Sequence, residues 1–318
     1  MVRDATSLFL SSGDLIADRR YDHAMALRAR GDLADAADLM GQALELAPRF
    51  ASGWFALGAI RAELGDCNGA IAAFSEARAA DPQDRHGAAL CLARLGAADV
   101  AGAMSPAYLR GLFDQYAPRF DDALARLSYR APALLHEAVA AACRARGMPM
   151  RFGTMLDLGC GTGLAGAVFR PRVDWLIGVD LSPGMVAQAR QKGLYDRLEV
   201  ADIGAFLEAE AEGGSENHLV VAADVFVYLA DLAPIVAGVA RVLAPGGLFA
   251  YTVETHAGEG VIVGEKLRYA HGAAHVRDAV KAAGLALLTL DAASTRTEKG
   301  VAVPGLLAVA AKDRGPRP

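Results

Sequence analysis

Several things are scarce in this chain. Aromatic residues make up 7% of its 318 positions, cysteine occurs four times, and neither sign of charge dominates. Each scarcity excludes something. Cys67, Cys91, Cys143 and Cys160 form no C-x-x-C pair and no closely spaced even set, which argues against a small secreted disulfide scaffold. Reduced thiols in a cytoplasmic protein are the expectation. The net charge of −5 lacks the basic excess that phosphate neutralisation demands, so neither nucleic acid nor an anionic membrane is an expected partner. Arg110, Arg119, Arg126 and Arg130 form one basic stretch, read as the solvated face of a helix. Leu8-Phe9-Leu10 is the longest apolar run before Arg20, too short for a signal-peptide core. No segment approaches the roughly 18 uncharged apolar residues of a membrane span.

What is plentiful is alanine, within an apolar fraction of 53% that can fill a core of ordinary size. The length predicts about two domains. Gly31, Ala36, Ala43 and Pro48 recur 34 residues later as Gly65, Ala70, Ala77 and Pro82, and the second copy adds Trp54, Leu57, Gly58 and Phe74. Small residues at these positions let paired helices approach closely, while glycine permits the turn and proline ends the second helix. The pattern resembles the tetratricopeptide repeat. In the first copy Arg20 and His23 stand where that family has its Trp and Leu. A helix over His86–Leu95 is expected to cap the stack. Residues 1–97 are thus expected to be a helical repeat domain, serving either as a partner-binding surface or as a docking or dimerisation appendage; a homodimer is left open.

Gly96 to Pro106 is rich in small residues and marks a boundary. Beyond it Phe113, Tyr116, Phe120, Leu124 and Leu127 recur at spacings of three and four, and Leu134, Leu135, Ala138, Val139 and Ala142 form a second such face. Residues 98–150 are expected to be a linker and lid helices.

The chemistry-bearing segment is TMLDLGCGTG at 154–163, an apolar strand running into Gly159, Gly161 and Gly163. Glycines at this spacing let the backbone turn sharply and approach a ligand closely. Alone it also fits dinucleotide binding, because Gly161, Gly163 and Gly166 spell G-x-G-x-x-G. A second strand, DWLIGVD, ends at Asp180, where a carboxylate can accept ribose hydroxyls. A third, RLEVAD, ends at Asp202, placed for an adenine amino group, with Ile203 to pack on the ring. The run HLVVAADVFVYL reads as a fourth strand, and Pro245-Gly246-Gly247 as a turn before LFAYTVE. LALLTLD and PGLLAVAAK read as a closing antiparallel hairpin.

The series D-x-G-x-G-x-G, V-D-x-S-P-x-M, A-D-I and V-L-x-P-G-G-x-F resembles class I S-adenosylmethionine-dependent methyltransferases over about residues 108–312. The resemblance implies an α/β fold over 151–318: a Rossmann-like seven-stranded sheet, mostly parallel, with an antiparallel last strand. It implies S-adenosylmethionine as cofactor and S-adenosylhomocysteine as product. The implied cofactor residues are Asp157, Gly159, Cys160, Gly161, Gly163, Asp180, Leu181, Met185, Asp202, Ile203 and Ala223, with Tyr116 and Phe120 closing over the donor. The whole chain looks like bacterial methyltransferases predicted to carry tetratricopeptide repeats, through F-D-x-Y-A-x-x-F-D at Phe113–Asp121, R-Y-x-H at Arg268–His271 and the stretch Arg296–Gly305. Its lid also resembles that of enzymes forming malonyl-carrier-protein methyl esters.

An in-line methyl transfer chiefly needs alignment, and a base is required only for an amine or phenol acceptor. Tyr228, Glu254, His256 and His271 are the catalytic candidates, and Arg268, Tyr269 and Arg296 candidate acceptor-pocket residues. His271 and His275 lie four apart, but Gly272 replaces the glutamate of H-E-x-x-H and no third ligand is evident, so no metal is expected. The tetrad of base-amino methyltransferases is missing after the fourth strand. The expected function is O- or N-methylation of a small-molecule or carrier-bound acceptor. The alternative is a protein methyltransferase whose repeats recruit the target, and a scaffold with a vestigial nucleotide site is a third reading.

Overall fold

A computed structural model describes residues 8–314. The part of the signal-peptide reading that falls on residues 1–7 lies outside the described residues. Two compact units are distinguished: one holds the chain up to Gly111 with Glu265–Leu267, the other Leu112–Gly264 and the chain from Arg268.

The first unit is helical. α1 (Leu15–Arg30) and α2 (Leu33–Leu46) form one hairpin, α3 (Ala51–Glu63) and α4 (Cys67–Ala80) a second, and α5 (Ala88–Arg94) follows. Asp14 and Asp66 cap α1 and α4 by accepting backbone N–H groups, which satisfies donors that the first helical turn leaves unpaired. The small residues of the 34-residue period, Ala36, Ala43, Ala70 and Ala77, are all buried. Gly58 on α3 lies against Phe74 on α4, where a Cβ would come within 2.7 Å of the ring. This arrangement of helices is compatible with the repeats inferred from the sequence.

Next come α6 (Pro106–Tyr116), a 3₁₀ turn at Ala117–Arg119, α7 (Phe120–Arg126) and α8 (Ala131–Ala145). The α/β part alternates β1 (Phe152–Leu158), α9 (Leu164–Phe169), β2 (Val173–Asp180), α10 (Pro183–Lys192), β3 (Arg197–Val200), α11 (Ile203–Glu212), β4 (Asn217–Ala222) and α12 (Ala233–Val242). It continues with β5 (Leu243–Thr255), β6 (Val261–Val263), β7 (Tyr269–His271), α13 (Ala273–Ala282), β8 (Ala286–Ala292), β9 (Thr297–Glu298), β10 (Val301–Ala302) and β11 (Gly305–Ala311). The sheet order is β3-β2-β1-β4-β5-β11-β8, parallel as far as β5 and antiparallel at both β11 pairings.

Several boundaries differ from the sequence expectation. The path just described has the seven strands expected, but β6 and β7 join it at β5 and make the sheet nine-stranded, while β9 and β10 form a separate hairpin. They exist because the chain after Thr255 folds back, Gly272 N–H donating to Gly260 O. The fourth strand stops at Ala222; Asp224 adopts φ 55° and Phe226–Tyr228 form a 3₁₀ turn. Pro245-Gly246-Gly247 lies inside β5 rather than before it. The third strand stops at Val200, because the Asp202 carboxylate accepts the Ala205 N–H and starts α11.

The inner stretches of β1, β2 and β4 are apolar and buried because both faces are covered there. Leu156, Leu158 and Val220 pack with α11, α12 and α13 on one face; Met155, Leu176 and Val221 pack with α8 and α9 on the other. The order reverses between β2-β1 and β4, so the chain diverges at the carboxyl end of β1 and opens a crevice there.

Candidate functional site

At that crevice β1 runs into Gly159, Gly161 and Gly163, with φ of 62°, 54° and 92°. All three are left-handed, a conformation that favours glycine. Space adds a second constraint at Gly159, whose Cβ would lie 2.5 Å from Val225 Cγ2. Cys160 N–H donates to Val179 O at 2.9 Å and moors the loop to β2. The Asp180 carboxylate then staples loop to turn, accepting from Gly161 N–H at 2.9 Å and Ser182 N–H at 2.8 Å. Burial pushes its pKa up, and these backbone N–H groups, with that of Leu181, oppose the rise.

Asp157 lies behind the loop and is 1% exposed. Burial pushes its carboxyl up to about 7, although Tyr195 Oη donates to Oδ2 at 2.6 Å. Sequence reasoning missed Tyr195. Its ring and hydroxyl fill the space left by three glycines: a Cβ at Gly163, Gly166 or Gly178 would come within 3.0, 2.3 or 2.7 Å of it. No local signal marks this residue, since its partners come from β1, α9 and β2.

The remaining cofactor candidates sit as follows. Asp202 is exposed, with one carboxylate oxygen spent on the cap of α11 and Ile203 next to it in the helix. Leu181 follows the Asp180 staple. Met185 is fully buried, and its N–H donates to Ser182 Oγ at 3.0 Å. Ala223 follows the end of β4, its carbonyl 3.5 Å from Tyr129 Oη. Tyr116 closes α6. Phe120 lies over the loop, its Cε1 3.7 Å from where a Gly161 Cβ would be.

Two carboxylates of the F-D-x-Y-A-x-x-F-D segment tie this lid down. Asp114 accepts from Ser182 Oγ at 2.5 Å and Gly184 N–H at 2.9 Å. Asp121 accepts from Thr162 Oγ1 at 2.5 Å and pairs with Lys192 at 2.6 Å. Phe113 meets Phe120 and Tyr228 edge-on at 6.2 and 5.2 Å, so Tyr228 lies under the lid aromatics.

Beside the loop stands a dense ionic cluster. Asp224 precedes Val225, the residue packed on Gly159. Its carboxylate accepts from Thr252 and Thr295 hydroxyls, both at 2.8 Å, and from Arg296 Nη1 at 2.5 Å. Arg296, 6% exposed, also bonds Glu254 through Nη2 and Glu298 through Nε at 3.1 Å. Arg268 bridges Glu254 at 2.5 Å and Glu298 at 2.6 Å. Burial works to lower the Arg296 pKa, but Asp224 and Glu254 hold it above its ordinary value. Among the catalytic candidates, Glu254 therefore has an oxygen committed to two guanidinium groups. Burial pushes the Tyr228 phenol up to about 12, so it is a hydroxyl donor at neutral pH. His256 lies at the surface, accepting from Gly258 N–H at 3.1 Å and standing 3.3 Å from Gly260 O.

His271 is wholly buried, Nε2 bonded to Leu229 O at 2.9 Å, and stacks on His275 at 5.5 Å. Burial lowers its pKa to about 4 from 6.5. The imidazole is neutral in the folded chain at pH 7. Below pH 6.5 the unfolded chain takes up a proton that the folded one refuses, so stability should fall between pH 6.5 and 4, by about 3 kcal/mol at most. Denaturation midpoints across that range check this: His271→Gln, which keeps an N–H donor, should flatten the slope, and an unchanged slope would count against it. Among the described residues, no group of three or more His, Cys, Asp or Glu is placed to hold a metal ion, and no helix is long and apolar enough to cross a membrane.

Residues 155–247 match the family described as a methyltransferase domain. Over 112 residues the chain is 41% identical to human Methyltransferase-like protein 27, covering 35% of this chain and 44% of that protein. The chain therefore spans less than half the length of this curated relative. The Burkholderia thailandensis 1,6-didemethyltoxoflavin-N1-methyltransferase, solved with 1,6-didemethyltoxoflavin and S-adenosylhomocysteine bound, shares the fold with a TM-score of 0.50. It is 18% identical, over 65% of this chain and 88% of that one. The magnesium protoporphyrin IX methyltransferase of Synechocystis PCC 6803, solved with S-adenosylmethionine bound, has a TM-score of 0.48 at 17% identity, over 65% and 97%. The chain thus contains a segment matching a methyltransferase domain, within an α/β part that shares the fold of a methyltransferase solved with S-adenosylhomocysteine bound.

Proposed function

We propose that the chain transfers a methyl group from S-adenosylmethionine to a small-molecule or carrier-bound acceptor. The observation that carries this reading is the glycine loop at the end of β1, stapled by Asp180 and covered by Phe120. The loop fits the donor chemically: three residues without side chains leave backbone open to the methionine portion, and the crevice is lined by carboxylates that favour a cation. Asp180 is positioned for ribose and the unspent oxygen of Asp202 for adenine.

Bound S-adenosylmethionine supplies an electrophilic methyl on a sulfonium. The chain's own part is alignment and exclusion of water. Gly159–Gly163 position the donor, and Phe113, Phe120 and Tyr228 cover it, with Asp114 and Asp121 holding the lid in place. In the Asp224–Arg296 cluster, two guanidinium groups face three carboxylates, and Arg296 has all three of its nitrogens engaged. That balance favours a neutral or amine-bearing acceptor over one recognised through a free carboxylate. A second reading, a protein acceptor recruited by tetratricopeptide repeats, is favoured by the 34-residue periodicity of residues 1–97.

Titration calorimetry of the full chain with S-adenosylmethionine is the test. Saturable binding below about 100 μM is expected, and no heat at that concentration would refute the reading. For the second reading, removal of residues 1–100 should abolish turnover of a protein acceptor and spare donor affinity.

A further inference from the structure

Outside the glycine-loop site, the most specific arrangement of polar groups lies in the helical unit. Leu8–Leu10 runs there without helix or strand structure. Ser52, the second residue of α3, accepts the Leu10 N–H on its Oγ at 2.8 Å and lies 3.2 Å from the Leu10 carbonyl, to which it donates. His86 Nε2 stands 3.0 Å from the same hydroxyl. Asp81 Oδ2 lies 3.9 Å from His86 Nδ1 and backs the ring. Ser52, His86 and Asp81 are 1%, 5% and 4% exposed.

Buried polar side chains need partners, and Ser52 finds its own on the main chain of a segment that adds no regular element to the unit. Just before the anchored Leu10, the Phe9 ring rests on Tyr21 and Phe50, at centroid distances of 5.0 and 5.9 Å. Phe9 is nevertheless 43% exposed, so it lies in an open cradle and not in the core. Ser11 and Ser12 bond Asp18, and Gly13, left-handed at φ 84°, turns the chain into α1.

The contacts divide the labour of recognition. Ser52, backed by His86, reads the N–H and C=O groups that every extended peptide offers, and the Tyr21–Phe50 cradle selects an aromatic side chain. We propose that Tyr21, Phe50, Ser52 and His86 form a binding site for an extended peptide with an aromatic residue between aliphatic ones, and that Leu8-Phe9-Leu10 occupies it as an intramolecular ligand. A partner protein presenting such a segment binds by displacing it. A tethered segment competes at an effective concentration in the millimolar range, so a free peptide of about 100 μM intrinsic Kd binds the intact chain about tenfold more weakly.

The experiment is fluorescence anisotropy with a labelled peptide of the sequence ATSLFLSS, residues 5–12. Titrated with the full chain it should bind weakly; with full-length Phe9→Ala, whose own segment keeps its backbone but loses the ring, about fivefold more tightly. A chain lacking residues 1–12 should bind at least as tightly as Phe9→Ala. Adding Ser52→Ala to the Phe9→Ala chain, or replacing the peptide's phenylalanine by alanine, should weaken binding about tenfold, the size expected for losing a buried hydrogen-bonding or aromatic anchor. Circular dichroism of each variant verifies that the helices remain. Equal weak binding by the full chain and by folded Phe9→Ala, or equal affinity for the wild-type and alanine peptides, overturns the proposal.

Discussion

Replacing Asp180 by alanine will weaken S-adenosylmethionine binding by two orders of magnitude or more, while the chain still unfolds cooperatively. The carboxylate accepts the Gly161 and Ser182 N–H groups, one from the glycine loop and one from the turn into α10. Hydrogen bonds to a charged group contribute about 1.5–3 kcal/mol each, and here they hold the backbone on which the donor is proposed to lie. Removing them frees the loop and deletes the group assigned to ribose. A hundredfold loss corresponds to about 2.7 kcal/mol. Asp180→Asn should fall in between, because its amide nitrogen cannot accept the second N–H. Calorimetric titration of the three proteins gives the comparison; a Kd for Asp180→Ala within about threefold of the unmodified chain would remove Asp180 from the donor site.

The second large effect is on stability. Arg296→Met leaves Asp224, Glu254 and Glu298 without the guanidinium that links all three. Unpairing a buried charge costs about 3–5 kcal/mol, far more than loss of an exposed ion pair. At roughly 2–4 °C per kcal/mol, the melting temperature should drop by about 10 °C. Asp224 gives a second reason, because its φ of 55° is a strained setting that Arg296, Thr252 and Thr295 together hold in place. Arg296→Lys keeps the charge but not the three-way fork and should recover only part of the loss. A melting temperature for Arg296→Met within about 2 °C of the unmodified chain would show that the cluster tolerates unpaired carboxylates.

These two residues differ in how far they could be read in advance. Asp180 ends an apolar strand and precedes a Ser-Pro helix start, so its place on β2 follows from local pattern. Arg296 had no such context. The sequence admitted it as an acceptor-pocket residue, but the structure has it holding the chain's own Asp224 across 72 positions. Glu254, read as a base, shares that cluster for the same reason. His271, read as catalytic, is buried against Leu229 because the chain after Thr255 folds back into β6 and β7, a turn that short apolar pieces do not announce.

With so few aromatics, several of them mark particular places: Phe120 over the glycine loop with Phe113 against it and Tyr228 against Phe113, Tyr195 behind the loop, and Phe9, Tyr21 and Phe50 in the helical unit. Periodicity and turn chemistry act over a few residues, and they were enough to specify the 34-residue helix pairs, the β1 glycine loop and the alternation of strand and helix. Folding alone decided which distant side chains meet: Tyr195 with the space of three glycines, Asp114 with Ser182, Arg296 with three carboxylates. Those encounters depend on how the sheet twists and closes, and a one-dimensional pattern carries no record of neighbours across the sheet.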